Sequence, residues 1–272
     1  MTAAPRLERL ESSLWETTTL LLVGGGESVA IDPGVTAAEI ERVRARADEL
    51  GAPVRTVLAT HSHFDHVCGI GAFPDAEAVM GEPTARAVRD GSAAAGLAEA
   101  ASELDLHYVG EPRCDRALEV GRAHRIGPFA AETIALAGHS VCGVGFRFRA
   151  LGLLVVGDHV SAVEFPFVYQ STAAYRSTLA GLIDLLRHDP PDIVASGHGP
   201  LLDATQALAI AEADLDYLHR LRTAVAGALG DGREAAFAAG LAVELPRPAW
   251  PDFHDESQRG NVETQLAELV PA

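Results

Sequence analysis

The sequence predicts an α/β fold, and two observations carry this prediction. Short apolar runs typical of strands, such as Val54–Ala59 and Leu153–Val156, alternate with segments whose apolar residues recur at helical spacing. The chain has 272 residues, 48% of them hydrophobic, which is enough for one large domain with an appendage.

The first third of the chain reads as alternating strands and helices. The predicted elements are, in order, a hairpin with strands at 14–23 and 29–31, a helix after residue 36, a strand at 54–59, a strand at 78–80 and a helix at 84–90. The helix after residue 36 has a defined start, because Thr36 and Glu39 form a capping-box pattern.

The remainder of the chain becomes increasingly helical. Residues 91–123, rich in Ala and Glu, predict one or two short helices and a loop over the active site. Tyr175, Leu179, Leu182 and Leu186 recur at the spacing of a buried helix face. The C-terminal predictions are a helix from 203 to about 228, a short helix after 231–232, a proline-rich link at 246–251 and a last helix at 262–269.

A dense group of metal-capable side chains follows the strand that ends at Ala59. His61, His63, Asp65 and His66 lie within six positions, and histidine with carboxylate suits zinc, iron or manganese. In extended backbone, residues two apart point the same way, so His61 and His63 can bind one ion. Asp65 and His66 then turn away and can bind a second.

Further ligands are expected where later strands end. Each of three short apolar runs is followed by glycine and a ligand-capable residue, in Gly138-His139, Gly157-Asp158 and Gly197-His198. Glycine allows the backbone to approach a crowded site closely.

These motifs, in this order, resemble the metallo-β-lactamase superfamily in its glyoxalase II-like, dinuclear branch, over roughly residues 13–204. The resemblance implies an αββα four-layer sandwich at 1–204 and a C-terminal helical appendage at 205–272. Family members often have proline before and Pro-Gly after the motif at Gly138-His139-Ser140, whereas this chain has Ala137 before it and Val141-Cys142 after it.

The resemblance also implies a ligand set for two divalent metal ions, with zinc expected and iron or manganese as alternatives. The first metal is assigned the ligands His61, His63 and His139, and the second metal is assigned Asp65, His66 and His198. Asp158 is assigned as the carboxylate that bridges both. Asp65 and Asp158 are the carboxylates assigned to catalysis. The implied chemistry is attack by a metal-bridging hydroxide on an ester, thioester or lactone carbonyl.

An aromatic loop after Asp158 is the predicted substrate contact. Phe165, Phe167 and Tyr169 lie close together in a chain with only 6% aromatic residues, and they can line a pocket for an apolar acyl or ring group. Packing beneath the following helix is the competing interpretation of these rings.

Composition indicates the partners and the compartment. The net charge of −17 opposes a nucleic-acid partner, and the longest apolar runs are too short to span a membrane. The three cysteines have no Cys-x-x-Cys spacing, and residues 1–11 lack an apolar signal core, so we expect a cytoplasmic protein acting on a small molecule. A second copy of the chain is a candidate partner.

Two other functions fit the same motifs. A mononuclear iron persulfide dioxygenase of the superfamily retains the His-x-His-x-Asp-His run but holds its iron with the counterparts of His61, His139 and Asp158. A phosphodiesterase-type metallohydrolase uses the full ligand set, and only the negative charge of the chain argues against it.

Overall fold

The computed structural model describes residues 4–108 and 110–270. Among these residues the strands form two sheets. The first sheet contains, in spatial order, β1 (Arg6–Glu11), β2 (Thr18–Gly24), β3 (Glu27–Ile31), β4 (Val54–Ala59), β5 (Glu77–Gly81) and β6 (Arg116–Leu118). The second contains β7 (Ala123–Ile126), β8 (Phe129–Ala135), β9 (Val144–Phe148), β10 (Leu153–Val155) and β11 (Ile193–Ala195), with β7 and β11 at its edges.

The α-helices of the described residues number eight. They are α1 (Ala37–Glu49), α2 (Phe64–Val67), α3 (Glu82–Arg89), α4 (Ser92–Leu104), α5 (Thr172–His188), α6 (Ala204–Ala228), α7 (Arg233–Leu241) and α8 (Pro251–Leu269). The α/β prediction is therefore confirmed. None of these helices is long and apolar enough to cross a membrane.

The chain divides into two compact units. The first comprises Met1–Ala135, Cys142–Gly157 and Ala195–Pro200, and the second comprises Leu136–Val141, Asp158–Val194 and Leu201–Ala272. The domain boundary expected at residue 204 stays a prediction.

The first unit is organised by the parallel strands β3 to β6. Strand β3 pairs in parallel with β4, and α1 makes the connection between them. Thr36 caps α1 with the predicted capping box, and Ile40 and Val43 on its inner face are buried with Leu21 and Val57 of the sheet. The carboxyl end of β4 is thereby fixed where the metal-capable residues begin.

The second unit is mainly helical. The predicted inner face of α5 is confirmed, since Tyr175, Leu179, Leu182 and Leu186 are all buried. Asp203 caps α6 through a capping box, which confirms the predicted start of the long helix.

The structure corrects the sequence interpretation at the C-terminal helix and adds four strands, β1, β6, β7 and β9. Strand β6 lies within residues 91–123, where the sequence predicted only short helices and a loop. Helix α8 begins at Pro251 rather than 262, because the first helical turn tolerates a proline and the expected link therefore ends there. Strand β1 has no period-two alternation and is held by backbone pairing with β2. Strand β9 is buried at every position, so it also lacks alternation.

Candidate metal centre

The histidine-rich run begins at the carboxyl end of β4 in the first unit. His63 has extended backbone and precedes α2, whose first turn contains Asp65 and His66. His61 is 1% exposed, and its ring centroid lies 4.5 Å from that of His63 and 4.2 Å from that of His66. The change from strand to helix therefore concentrates four ligand-capable side chains in six positions, with His61, Asp65 and His66 buried and His63 half-buried.

Three of the predicted ligands converge within the first unit. Oδ2 of Asp65 lies 3.3 Å from Nε2 of His66 and 3.4 Å from Nε2 of His198. All three residues are buried, and His198 follows β11 after Gly197. The structure thus brings together residues that are separated by more than a hundred positions in the sequence.

Asp32 orients two of the histidines. Its Oδ2 accepts a hydrogen bond from Nδ1 of His66 at 2.9 Å and from the hydroxyl of Thr60 at 2.8 Å, and its Oδ1 accepts from the Thr60 N–H at 2.9 Å. The Thr60 oxygen lies 3.1 Å from Nδ1 of His61. Because the Thr60 hydroxyl donates to Asp32, its oxygen accepts from His61 Nδ1–H. Both histidines therefore keep the Nε2 lone pair for a metal.

A backbone carbonyl orients His198 in the same way. Nδ1 of His198 donates to the carbonyl oxygen of Trp15 at 2.8 Å, so its Nε2 carries the lone pair that faces Asp65. The Thr17 hydroxyl also lies 3.4 Å from Oδ2 of Asp65. The loop before β2 thus takes part in positioning two ligands.

Two further predicted ligands, His139 and Asp158, lie together within the second unit. Nε2 of His139 lies 3.1 Å from Oδ2 of Asp158, and its Nδ1 donates to the Phe167 carbonyl at 2.9 Å. The Asp158 carbonyl accepts from the Tyr175 hydroxyl at 3.0 Å. A Cβ at Gly138, where φ is +115°, would lie 2.3 Å from the Tyr175 backbone, so only glycine allows this approach to α5.

The donor sets fit a divalent metal ion. Ligand atoms of a tetrahedral zinc site with bonds of about 2.0–2.1 Å lie roughly 3.3 Å apart, which matches the distances around Asp65. In His61, His66, His139 and His198, the Nδ1 atom is already held by an oxygen, so the Nε2 atoms are oriented as ligands. Nitrogen and carboxylate oxygen donors of this kind suit zinc, iron or manganese.

The aromatic residues expected to contact substrate are placed differently from one another. Phe165 is 1% exposed and packs against Phe167 and Tyr217. Tyr169 is 63% exposed, and its ring centroid lies 5.4 Å from that of His139. Phe167 and Tyr169 line a cavity of about 570 Å³, and Phe165 supports Phe167 from behind.

Sequence reasoning missed a buried ionic group in the second unit. Arg247 donates to a carboxylate oxygen of Asp214 and, at 2.6 Å, to the Glu164 carbonyl. Burial raises the pKa of Asp214 to about 7, and the positive charge of Arg247 opposes that rise. A carboxylate oxygen of Glu164 lies within 4.8 Å of one of Asp158. Asp214 lies among the buried residues of α6, and an acidic residue on the inner face of a helix is the sequence feature that could have predicted a buried ion pair.

Asp32 and Thr60 were also missed as positioning residues. Both lie at carboxyl ends of the adjacent parallel strands β3 and β4, where polar side chains are brought together. That neighbourhood was the signal that could have identified them.

Comparisons with known proteins bear on the family of this chain. The family model of the metallo-beta-lactamase superfamily matches residues 14–198. A hydroxyacylglutathione hydrolase of Acidiphilium cryptum is 31% identical over 179 residues, which cover 65% of this chain and 62% of that protein. A probable metallo-hydrolase of Bacillus subtilis, YqgX, is 26% identical over 69% of this chain and 87% of its own length.

Solved structures agree on the fold. The metallo-beta-lactamase family protein TTHA1429 of Thermus thermophilus superposes with a TM-score of 0.69 at 21% identity, covering 97% of this chain and 92% of that one. The first two curated relatives are matched over only 62% and 52% of their own lengths. The match over residues 14–198 shows that the chain belongs to the metallo-beta-lactamase superfamily.

Proposed function

We propose that this protein is a dinuclear metal-dependent hydrolase that acts on an ester, thioester or lactone carbonyl. The observation that carries the proposal is the preorganisation of its histidines, since Nδ1 of His66, His139 and His198 is bonded to an oxygen and Nε2 of each faces a carboxylate. Such tethering orients a ring for metal binding.

The proposed ligand assignment follows the motif order of the superfamily. His61, His63 and His139 are assigned to one metal and Asp65, His66 and His198 to the other, with Asp158 as the shared carboxylate. Zinc is the proposed metal, and the donor atoms also suit iron and manganese.

The chain's own residues have separate roles in the proposed reaction. When bound, the metal ions lower the pKa of a water molecule to about 7 and polarise the substrate carbonyl. Oδ2 of Asp65 lies within 3.4 Å of Nε2 of both His66 and His198, and Oδ2 of Asp158 lies 3.1 Å from Nε2 of His139, so each carboxylate presents an oxygen beside the nitrogen lone pairs that would bind a metal. The exposed Tyr169 can donate its hydroxyl to the oxygen that becomes negative during attack.

The cavity beside His139 is the proposed place for the group attached to the carbonyl. Its volume of about 570 Å³ is ordinary for a small-molecule pocket, and Phe167, Val168, Tyr169 and Phe253 give it apolar walls. Ring contact between Tyr169 and His139 brings this wall next to a proposed metal ligand.

The charges around this cavity favour uncharged or cationic groups over anionic ones. Asp255, Glu256 and Glu263 line it, and Arg259 is the cation among its described lining residues. Several of the curated relatives are named as hydroxyacylglutathione hydrolases, and glutathione is anionic. We therefore propose that this chain prefers thioesters or esters whose leaving group is not anionic.

Metal analysis with a substrate panel tests the proposed function. Protein purified without added metal should contain about two equivalents of divalent metal, and it should hydrolyse members of a panel of esters, thioesters and lactones. One equivalent of iron together with oxygen uptake on glutathione persulfide would instead establish the dioxygenase. Hydrolysis of a phosphodiester alone would establish the phosphodiesterase.

Substitution of the proposed bridging carboxylate gives a sharper test. Asp158→Ala should lose one metal equivalent, and its turnover should fall by about a hundredfold or more. Asp184→Ala, which removes an exposed carboxylate of α5, is the matched control and should retain both properties. Turnover close to wild type in Asp158→Ala would contradict the assignment.

The proposed partners and compartment follow from the chemistry of the chain. A small-molecule substrate in the cytoplasm is proposed, since Cys68 and Cys114 are free thiols and the net charge of −17 disfavours nucleic acid. Fractionation of the source cells tests the compartment, and light scattering of the purified protein tests whether two copies associate.

A further inference from the structure

The segment at 166–171 holds His139 through both its ring and its backbone. The Phe167 carbonyl accepts from Nδ1 of the ring at 2.9 Å, and the Tyr169 N–H donates to the His139 carbonyl at 3.1 Å. The Gln170 side chain accepts from the Gly138 N–H at 2.9 Å, and the Gln170 N–H donates to the Gly138 carbonyl at 3.2 Å. The orientation of His139 is therefore set by the conformation of this segment.

Asn261 of α8 holds the same segment on both sides of Phe167. Its Oδ1 accepts from the Val168 N–H at 2.9 Å, and its Nδ2 donates to the Pro166 carbonyl at 2.7 Å and to the Tyr217 hydroxyl at 3.2 Å. The residue is only 1% exposed. The peptide groups on either side of Phe167 are thus fixed by one buried amide, and the Phe167 carbonyl that accepts from His139 belongs to the second of them, whose N–H is that of Val168.

The same face of α8 makes further contacts with this segment. The Thr264 hydroxyl donates to the Val168 carbonyl at 3.3 Å, and Glu268 accepts from the Ser171 hydroxyl at 2.7 Å and from the Ala173 N–H at 3.2 Å. Positions 261, 264 and 268 lie on one side of a helix. Helix α8 therefore fixes the segment along its length, and Asn261 is its contact nearest to the Phe167 carbonyl.

We propose that Asn261 is a positioning residue for His139. Loss of its amide frees the peptides around Phe167, and the carbonyl that accepts from Nδ1 of His139 then moves. The ring can rotate or exchange its Nδ1–H tautomer for the Nε2–H one, which cannot bind a metal through Nε2. The expected loss of metal affinity rests on the proposed function, whereas the expected change in the tautomer of His139 does not.

The test compares Asn261→Ala with Gln258→Ala. Gln258 lies one turn earlier on α8, and its amide donates to the Leu241 and Val243 carbonyls, away from residues 166–171. Both variants remove a side-chain amide from the same helix, so both should lower the melting temperature of the metal-free protein. Only Asn261→Ala should weaken zinc binding, by about 10- to 100-fold for one equivalent in competition with a chromophoric chelator.

A second readout needs no metal. The ring ¹⁵N shifts of His139 in metal-free protein at pH 8 should show the Nδ1–H tautomer in the wild type and in Gln258→Ala. They should show a mixture of tautomers in Asn261→Ala. If Asn261→Ala does not fold, Thr264→Val replaces it and should weaken zinc binding by about threefold through loss of the bond to Val168.

The outcomes separate the two proposals. Unchanged zinc affinity and an unchanged His139 tautomer in a folded Asn261→Ala variant would overturn the positioning role and leave the hydrolase proposal intact. A wild type that binds no zinc, iron or manganese would overturn the proposed function, and the tautomer measurement would still decide the role of Asn261.

Discussion

Replacing Asp32 by Asn should disable two metal ligands through one atom. Asn suits the position because Asp32 has φ of +49°, and Asn adopts that left-handed conformation readily. Its Oδ1 can still accept from the Thr60 N–H, which places an NH₂ group where Oδ2 accepts from His66 and from the Thr60 hydroxyl. That group can only donate hydrogen bonds there.

The consequence of this reversal can be followed atom by atom. His66 must accept at Nδ1 and therefore carry its proton on Nε2. The Thr60 hydroxyl, now accepting from Asn, turns its proton towards Nδ1 of His61, which also acquires the Nε2–H tautomer. Neither ring then offers Nε2 to a metal, so each metal of the proposed pair loses one oriented ligand.

The expected magnitude follows from the loss of a group that orients a ligand. Each metal should bind about 10- to 100-fold more weakly, or about 1.4–2.8 kcal/mol. The metal-free protein should lose roughly 2–4 kcal/mol of unfolding free energy, because two hydrogen bonds to a buried carboxylate are replaced. Zinc affinities come from chelator competition, and the unfolding free energies come from urea titrations in the presence of EDTA.

Thr60→Val is the matched comparison. It has nearly the same shape and removes the hydroxyl that relays between Asp32 and His61, donating to the first and accepting from the second. The bond from His66 to Asp32 remains. One binding step should weaken and the other should keep its wild-type affinity. Two wild-type affinities in Asp32→Asn, or equal weakening of both steps in Thr60→Val, would refute the relay.

Three further predictions concern the cavity and the buried ion pair. The cationic substrate acyl thiocholine should be hydrolysed about 3- to 10-fold more efficiently (kcat/KM) than the matching anionic acyl 3-mercaptopropionate. The double variant Glu256→Gln with Glu263→Gln should lose this preference. A preference as large as that of the wild type in the double variant would contradict the role of these carboxylates. Phe167→Ala should raise KM for bulky acyl groups more than it lowers kcat, whereas no change with any substrate would leave a packing role. Burial raises the pKa of Asp214 from 3.8 to about 7. Between these pH values the folded chain keeps a proton that the unfolded chain has released. The stability that is present below pH 3.8 is therefore lost as the pH rises towards 7. Relative to Asp214→Asn, urea titrations should show the wild type losing on the order of 3–4 kcal/mol across that range, and parallel pH profiles would contradict it.

The positions of the candidate ligands could be predicted because they follow strand ends. Val54–Ala59 and Leu153–Val155 are apolar runs that form strands, and the glycine or threonine after each run marks where the chain leaves the sheet. The residue type and the strand end together predicted metal-capable histidines and carboxylates at these positions, and the structure shows in addition that His61, His139 and Asp158 are buried.

The length of α8 and its contacts could not be predicted for a different reason. Its overall amphipathic pattern is weak, because polar side chains such as Asn261 and Gln265 face inwards to bond the segment after Asp158. A pattern search that expects apolar residues on the inner face therefore finds only the last part of the helix, around Val262 and Leu266.

The orientation of the ligand side chains is the property of the site that is hardest to predict from the sequence. The Nδ1 atoms of His139 and His198 are bonded to backbone carbonyls of Phe167 and Trp15, and every residue type carries a carbonyl. No residue identity at those two positions therefore reveals the contact. What the sequence can encode is the side chain that fixes the carbonyl, and for Phe167 that side chain is Asn261, 94 positions later than the residue it serves. Substitutions that alter metal binding are accordingly expected at such supporting positions as well as at the ligands.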